Sequence, residues 1–286
     1  MNTNKSHNDR IVNFKHIHRI TAEHYEALLI AIDPREGDLI LEGCAGYADV
    51  SRQIIEATNG YRNKPVIYLV EESPVQIARV SSELQLPEDR VILGDVRQAG
   101  LPAEKFDTVI IKMGVHELPK DEQSKVFTEM YRILKPGGKF IIWGFSLTHK
   151  TQEIFQKIVR KKDELSRFES MVINRYFQRH DELQVLFDNA GFKGVKDEYK
   201  MRYTFDPKDR LEELISRDRL EMLEEKKVLD KSDEEELQRR AQERVTALVA
   251  YVRELVTNDL KEALEYKDLG DSVEVTFDQI IMSGKK

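Results

Sequence analysis

The chain has 286 residues, 40% hydrophobic and 34% charged, with a formal net charge of −7 at pH 7. That length suits one substantial core with an appendage, and the acidic balance argues against a protein that holds nucleic acid by bulk phosphate neutralisation. The single cysteine, Cys44, excludes an intramolecular disulfide and any cysteine-cluster metal site. The opening stretch MNTNKSHNDRIVNFKHIHRI reads as a polar arm. His16 and His18 would share one side of an extended segment, where they could hold a metal, but a plain arm is the reading adopted and no metal is expected. This arm has no apolar run of signal-peptide length, and no later segment approaches the roughly 20 apolar residues of a membrane span. A cytoplasmic protein without membrane contact is therefore expected. From Thr21, a candidate N-cap, TAEHYEALLIAID places Tyr25, Leu28, Leu29 and Ile32 on one helical face.

After the turn DPREGD the pattern alternates. Strand DLILEG, a helix from Ala48, strand VIYLV, helix SPVQIARVSSEL and strand VIL come first; strand TVIIKM, helix DEQSKVFTEMYRIL and strand KFIIWGF follow. Apolar, β-branched runs separated by amphipathic helices require a parallel sheet covered on both faces. Lys135, Pro136, Gly137 and Gly138 form the turn that stops a helix and launches the next strand. A further strand is read near 195–205 and another in VEVTFDQIIMSGKK. Between Lys208 and Leu269 there is neither glycine nor proline, and Leu237, Ala241, Val245, Leu248, Val252 and Leu255 recur at helical spacing. The division expected is a core over 1–207 with its N-terminal arm, a helical insertion over 208–270 and the core's last strand over 271–286.

The first strand runs into LILEGCAGYADVS. In an open parallel sheet, ligands sit beyond the carboxyl ends of the strands, where the first loop presents backbone N–H groups and tolerates only small side chains. With Glu42 as the acid of the pattern acid-x-Gly-x-Gly-x-Gly, the glycine positions are held by Cys44, Gly46 and Ala48. The second strand ends in VEESP, which puts Glu71 where a carboxylate can accept two hydrogen bonds from a ribose diol. The third is followed by GDVRQAGLP, with Asp95 on the same edge, able to accept from an adenine amino group. Each acid alone reads as a solvated loop residue or a cap; three at successive strand ends are hard to explain by packing.

With these motifs and with FDTVIIKMGVHELP and LKPGGKFIIWGF, the sequence resembles the class I, Rossmann-like S-adenosylmethionine-dependent methyltransferases. It is most similar to their small-molecule branch, which includes quinone-biosynthesis methyltransferases. The resemblance covers about 20–205 and the last strand, and it implies a doubly wound, mostly parallel α/β sheet of seven strands, the last antiparallel. It also implies a cofactor, S-adenosyl-L-methionine. Glu42 would lie near the methionine end, Gly46 beside the nucleoside, Glu71 on the ribose, and Asp95 with Val96 at the adenine. Gly43, Cys44 and Glu72 belong to the same edge, and Lys112 and Met113, leaving the fourth strand, would pass near the sulfonium. A dinucleotide-dependent dehydrogenase shares the first strand and acid but has no need of GDV or LKPGG.

Methyl transfer is an in-line displacement that rests largely on positioning. It needs a general base only where the nucleophile carries a proton. His116, in GVHELP, is the candidate base, with an ordinary pKa of about 6.5. The alternative is that it supports the loop. Cys44 has no histidine or lysine partner in sequence and reads as a small spacer rather than a nucleophile. Trp143 with Phe145, and Tyr176 with Phe177, could face a substrate or pack against helices. The insertion could be a lid, a homodimer contact or a partner scaffold, and its alternating charges suit a solvated outer face. The function expected is methyl transfer to a small molecule. The alternative is a fold that binds the cofactor or a derivative for a non-methylating or regulatory role.

Overall fold

The computed structural model describes residues 19–286; His16 and His18 lie outside the described residues. The chain forms two compact units. One comprises Thr21–Ser146, Gln178–Met201 and Asp278–Lys286; the other contains Arg19, Ile20, Leu147–Phe177 and Arg202–Phe277.

The first unit is the expected alternation. Helix α1 (Ala22–Ile32) opens where the Thr21 backbone N–H meets His24 Nδ1 at 3.1 Å. It is followed by β1 (Leu39–Gly43), α2 (Asp49–Ala57), β2 (Val66–Glu71), α3 (Pro74–Leu84), β3 (Val91–Leu93), β4 (Phe106–Lys112), α4 (Lys120–Ile133) and β5 (Leu134–Phe145). Ser73 caps α3 by accepting from the Gln76 N–H at 3.3 Å, and Pro74 occupies the first turn, where a missing N–H costs nothing. The strand order is β3-β2-β1-β4-β5-β8-β6, with β6 (Lys193–Phe205) and β8 (Val273–Lys285) contributed by later segments. Strands β1 to β5 pair in parallel, and β8 runs antiparallel to β5. The sheet has an eighth strand, the two-residue β7 (Lys267–Asp268) on β8, too short to carry a periodic signal. Strand β5 starts earlier than Lys139, because Leu134 pairs with Phe106 before an irregularity restores the ladder at Thr108 and Lys139.

Beneath α4 and α7 (His180–Ala190), Phe127, Phe140, Phe187 and Phe192 pack edge-on or tilted at 5.1–5.5 Å between ring centroids. This dry layer, continuous with Val109, Ile111, Met130 and Leu183, anchors the strands whose carboxyl ends form the site.

The second unit is mostly helical: α5 (His149–Leu165), α6 (Glu169–Asn174), α8 (Leu211–Lys226), α9 (Lys231–Leu255) and α10 (Asn258–Lys261). The break between α8 and α9 uses no glycine. Lys227 takes φ 67°, and Asp230 caps α9 by accepting from the N–H groups of Ser232 at 2.8 Å and Asp233 at 3.0 Å. The stripe Leu237, Ala241, Val245, Leu248 and Val252 is buried. Asp163, Lys162, Arg175 and Glu213 form a withdrawn ionic network, with Lys162 Nζ 2.6 Å from both Asp163 and Glu213 and Arg175 donating to Asp163 at 2.8 and 3.0 Å.

Candidate functional site

The loop after β1 bends through three left-handed residues. Cys44, Gly46 and Ala48 have φ of 51°, 52° and 52°. These are the glycine positions of the pattern, and the backbone takes the glycine conformation at all three, with strain of roughly 1–2 kcal/mol at each of the two that carry a Cβ. The side chains stay small for a visible reason. A Cβ on Gly114 would lie 2.4 Å from Cys44 Cβ, and one on Gly43 would lie 3.0 Å from Val96 and 3.1 Å from Ile111. The first loop, the β3 exit and the β4 exit thus press directly on one another.

Carboxylates hold this arrangement. Glu71, 8% exposed at the end of β2, accepts from the Gly46 N–H at 2.8 Å and the Ser73 N–H at 2.9 Å, tying the first loop to the second. Glu42, 3% exposed, accepts from the Ser51 N–H at 2.8 Å and hydroxyl at 2.5 Å in the first turn of α2. Burial pushes the Glu42 carboxyl up to about 7, against the Ser51 hydrogen bonds and the Lys112 charge, which favour the ionised form. Asp95 accepts from the Arg97 backbone N–H at 2.8 Å and from its Nε at 2.9 Å. Burial raises the Asp95 carboxyl, but those bonds outweigh it and hold the group below its ordinary value. Val96 is buried against Gly43, and Glu72 is half-buried beside Glu71.

On the other side of β1, Lys112 ends β4 opposite Trp143 of β5. Glu42 aligns with Ile110, so by strand alternation Glu42, Lys112 and Trp143 share one face of the sheet. Lys112 Nζ stands 3.5 Å from Asp49 and 5.6 Å from each of the Tyr25 and Trp143 ring centroids. Met113 then turns left-handed, with φ 57°, and donates its N–H to the Trp143 carbonyl at 2.8 Å. His116, 8% exposed, sits on the short turn Val115–Glu117 with its ring 6.0 Å from Phe145, edge-on.

The structure therefore gathers Glu42, Gly43, Cys44, Gly46, Glu71, Glu72, Asp95, Val96, Lys112, Met113 and His116 along the carboxyl edge of β1 to β4. Trp143 packs rather than lining a surface: it is fully buried and donates from Nε1 to Gln279 at 3.0 Å. Phe177 is buried too, while the Tyr176 hydroxyl accepts from Gln152 at 3.0 Å. Burial, reinforced by Glu71, Glu117, Asp95 and Glu72, pushes the Cys44 thiol up, away from the thiolate that a nucleophile would need. Residues that went unread in the sequence are Ser51, which locks Glu42; Arg97, which pins Asp95; and Tyr25, His24 and Asp49 around Lys112. Arg97 and Ser51 follow their acids closely enough to have been found by asking what satisfies each buried carboxylate.

Residues 53–142 match the methyltransferase domain family, a span that includes the exits of β2, β3 and β4 and begins after the first loop. An uncharacterised methyltransferase of Anoxybacillus flavithermus is 27% identical over 117 residues, 41% of this chain and 51% of that protein. A ubiquinone/menaquinone biosynthesis C-methyltransferase of Allorhizobium ampelinum is 26% identical over 125 residues, 42% of this chain and 47% of that protein. The chain thus spans about half the length of these curated relatives. A demethylmenaquinone methyltransferase of a Geobacillus species is 27% identical over 177 residues, covering 57% of this chain and 74% of its own. Among solved structures, the YcgJ protein of Bacillus subtilis superposes with a TM-score of 0.65 at 13% identity, covering 93% of this chain and 99% of that one. A phosphoethanolamine N-methyltransferase of Haemonchus contortus, solved with S-adenosylhomocysteine, superposes at 0.51 with 17% identity, covering 93% and 52%. At these identities the likeness establishes a shared fold.

Proposed function

Because the chain belongs to the class I, Rossmann-like S-adenosylmethionine-dependent methyltransferases, we propose that it transfers a methyl group from S-adenosylmethionine to a small-molecule acceptor. The observation that carries this reading is the first loop. Its three left-handed residues and the Glu71 carboxylate between Gly46 and Ser73 make a cradle that larger side chains would fill. The residues fit an adenosyl group. Gly46 and its neighbours present backbone to it, and the Glu71 carboxylate, at the end of β2, is the acceptor that would meet the ribose hydroxyls. Asp95 and the Val96 N–H would take the adenine edge, and Glu42, Lys112 and Met113 the methionine end. Gly43, Cys44 and Glu72 shape the floor and rim. Bound there, the cofactor supplies an electrophilic methyl on a cationic sulfur.

The chain's own contribution is alignment and exclusion of water. His116 is the candidate base for a protonated acceptor, with Phe145 holding its ring. One relative is named a ubiquinone/menaquinone biosynthesis C-methyltransferase and another a demethylmenaquinone methyltransferase, which supports an acceptor of small-molecule size, and the net charge of −7 argues against a polynucleotide.

Thermal melts with S-adenosylmethionine, S-adenosylhomocysteine and NAD test this reading, since a ligand bound only by the folded state raises the midpoint. Both adenosyl ligands should raise it and NAD should not. Glu71→Ala should lower the unliganded midpoint, because the first loop loses its tie, and should abolish the ligand shift. No shift with either adenosyl ligand at about 1 mM, roughly a hundredfold above a 10 μM Kd, would sink the reading. Shifts without turnover across a metabolite mixture would favour a binding protein of the same fold.

A further inference from the structure

We infer that the first unit carries a second ligand pocket, on the edge of the sheet opposite the first loop, and that it takes a linear aliphatic diamine, an apolar stem with an ammonium at each end. Helices α1 and α2 both end there, on the way into the amino ends of β1 and β2. Between their ends opens a cavity of about 360 Å³, within the roughly 300–1,000 Å³ of small-molecule sites. This inference is independent of the methyltransferase reading.

The walls are apolar and held in place. Leu29 and Ile30 of α1, Pro34 beyond it and Ala57 of α2 line the cavity, and Ile30 is 73% exposed, a large aliphatic side chain that packing leaves uncovered. The Tyr61 hydroxyl, on the same wall, donates to the Pro34 carbonyl at 3.1 Å. Beside it the Gly37 N–H meets the Asn63 carbonyl at 2.9 Å and the Arg62 N–H meets Glu36 at 2.9 Å, so the two loops are tied to each other. Thr58 is buried and donates its hydroxyl to the Ile54 carbonyl at 2.7 Å. The hydroxyls of the wall are therefore already engaged within the protein, and the groups left to meet a ligand are carboxylates.

Those carboxylates set its charge and length. Glu26, Leu29, Ile30 and Asp33 fall at i, i+3, i+4 and i+7, so two acids bracket two aliphatic side chains on one face, about 10 Å apart along the axis. Among the described residues the Glu26 carboxylate makes no ion pair. Asp33 meets Arg35 at 3.2 Å, but both side chains of that pair are exposed, 63% and 77%, where water screens them. Each helix also presents the negative end of its dipole, and neither has a basic residue in its last turn. Two lysines touch these ends without lining the cavity: Lys139 donates to the Ala31 carbonyl at 2.6 Å and Lys64 to the Asn59 side chain at 2.8 Å. An anion is repelled here, and two separated carboxylates are too few oxygens for a bare Ca²⁺, which takes six to eight. A diamine satisfies both conditions, its stem covering Leu29 and Ile30 while its ends donate to Glu26 and Asp33.

The probe is 1,8-diaminooctane, titrated into the full chain and followed by the backbone amide resonances in nuclear magnetic resonance. Shifts should centre on Ile30, Asp33, Thr58 and Tyr61 and saturate with a Kd of about 1 mM or tighter. The uncharged 1,8-octanediol should bind at least tenfold more weakly, and 1-aminooctane, with one charge, several-fold more weakly. Glu26→Gln with Asp33→Asn should weaken the diamine at least tenfold without moving the melting midpoint, since both side chains are exposed and asparagine accepts the left-handed φ of 49°. Ala57→Leu, which fills the cavity and keeps every charge, should abolish binding. No saturable shift at ten times that Kd would overturn the proposal, as would equal binding of the diol. Equal binding of 1-aminooctane would remove the two-ended ligand. Undiminished binding to Ala57→Leu would assign the effect to general attraction by an acidic chain and would also overturn it.

Discussion

The Gly114 Cα and the Cys44 side chain occupy adjoining space so closely that neither can grow. Gly114→Ala puts a methyl 2.4 Å from Cys44 Cβ and 2.6 Å from Sγ, an overpacking expected to cost about 1–3 kcal/mol. Adding Cys44→Gly should return much of that loss, because it removes both the obstructing atoms and the left-handed Cβ; a double-mutant cycle by urea denaturation measures the coupling. Glu42 carries a pH signature. Its carboxyl rises from 4.5 to about 7 on folding, so between those values the folded state holds a proton that the unfolded chain has released, and stability falls as pH rises. At about 1.4 kcal/mol per pH unit the loss is roughly 3 kcal/mol, complete above pH of about 7. Glu42→Gln should flatten the decline in melting midpoint between about pH 5 and about pH 7; an unaltered slope would assign the decline to other groups.

At the scale of elements, the helices of the second unit are joined by charge as well as by their apolar stripes. Lys162 of α5 reaches Glu213 of α8 at 2.6 Å in a place almost closed to water. Lys162→Met should cost about 3–5 kcal/mol, since it takes the shared ammonium away from two buried carboxylates, and Glu213→Leu added to it should recover part. No sequence pattern announces this pair, which lies 51 residues apart. Secondary structure was more legible. The βα alternation could be read because apolar β-branched runs and amphipathic helices have different periods, and the α9 stripe because it is long. The α8–α9 break was hidden by the absence of glycine and proline, although the spacing of Asp230 and Asp233 is a helix-start signal. The acids at the strand ends were equally readable, since each follows an apolar run. Their partners were harder to read: Ser51 and Arg97 follow their acids in the chain, but the hydrogen bonds that make them partners take shape only on folding, and Lys112 acquires its meaning from Tyr25 and Trp143, which lie 87 and 31 positions from it in the chain.

At the scale of the molecule, neither compact unit is a continuous stretch. The chain passes from one to the other after residues 20, 146, 177, 201 and 277, and the last two passages fall within β6 and β8. Unbroken strands shared in this way predict one cooperative transition, with calorimetric and van't Hoff enthalpies in agreement. Lys162→Met in one unit and Gly114→Ala in the other should each move that single midpoint; two resolved transitions would show that the units melt independently.

The sheet order also has a consequence for biosynthesis. Strand β8 follows every other strand in the chain yet lies between β5 and β6. On the ribosome, β1 to β5 can assemble while β5 still offers an open edge to any neighbouring nascent chain. That edge stays open through the synthesis of more than a hundred further residues, from Phe145 to Val273, which at about 5–20 residues per second is an exposure of several seconds or more. Conditions that slow translation should therefore favour aggregation of this protein before they impair the stability of the finished fold.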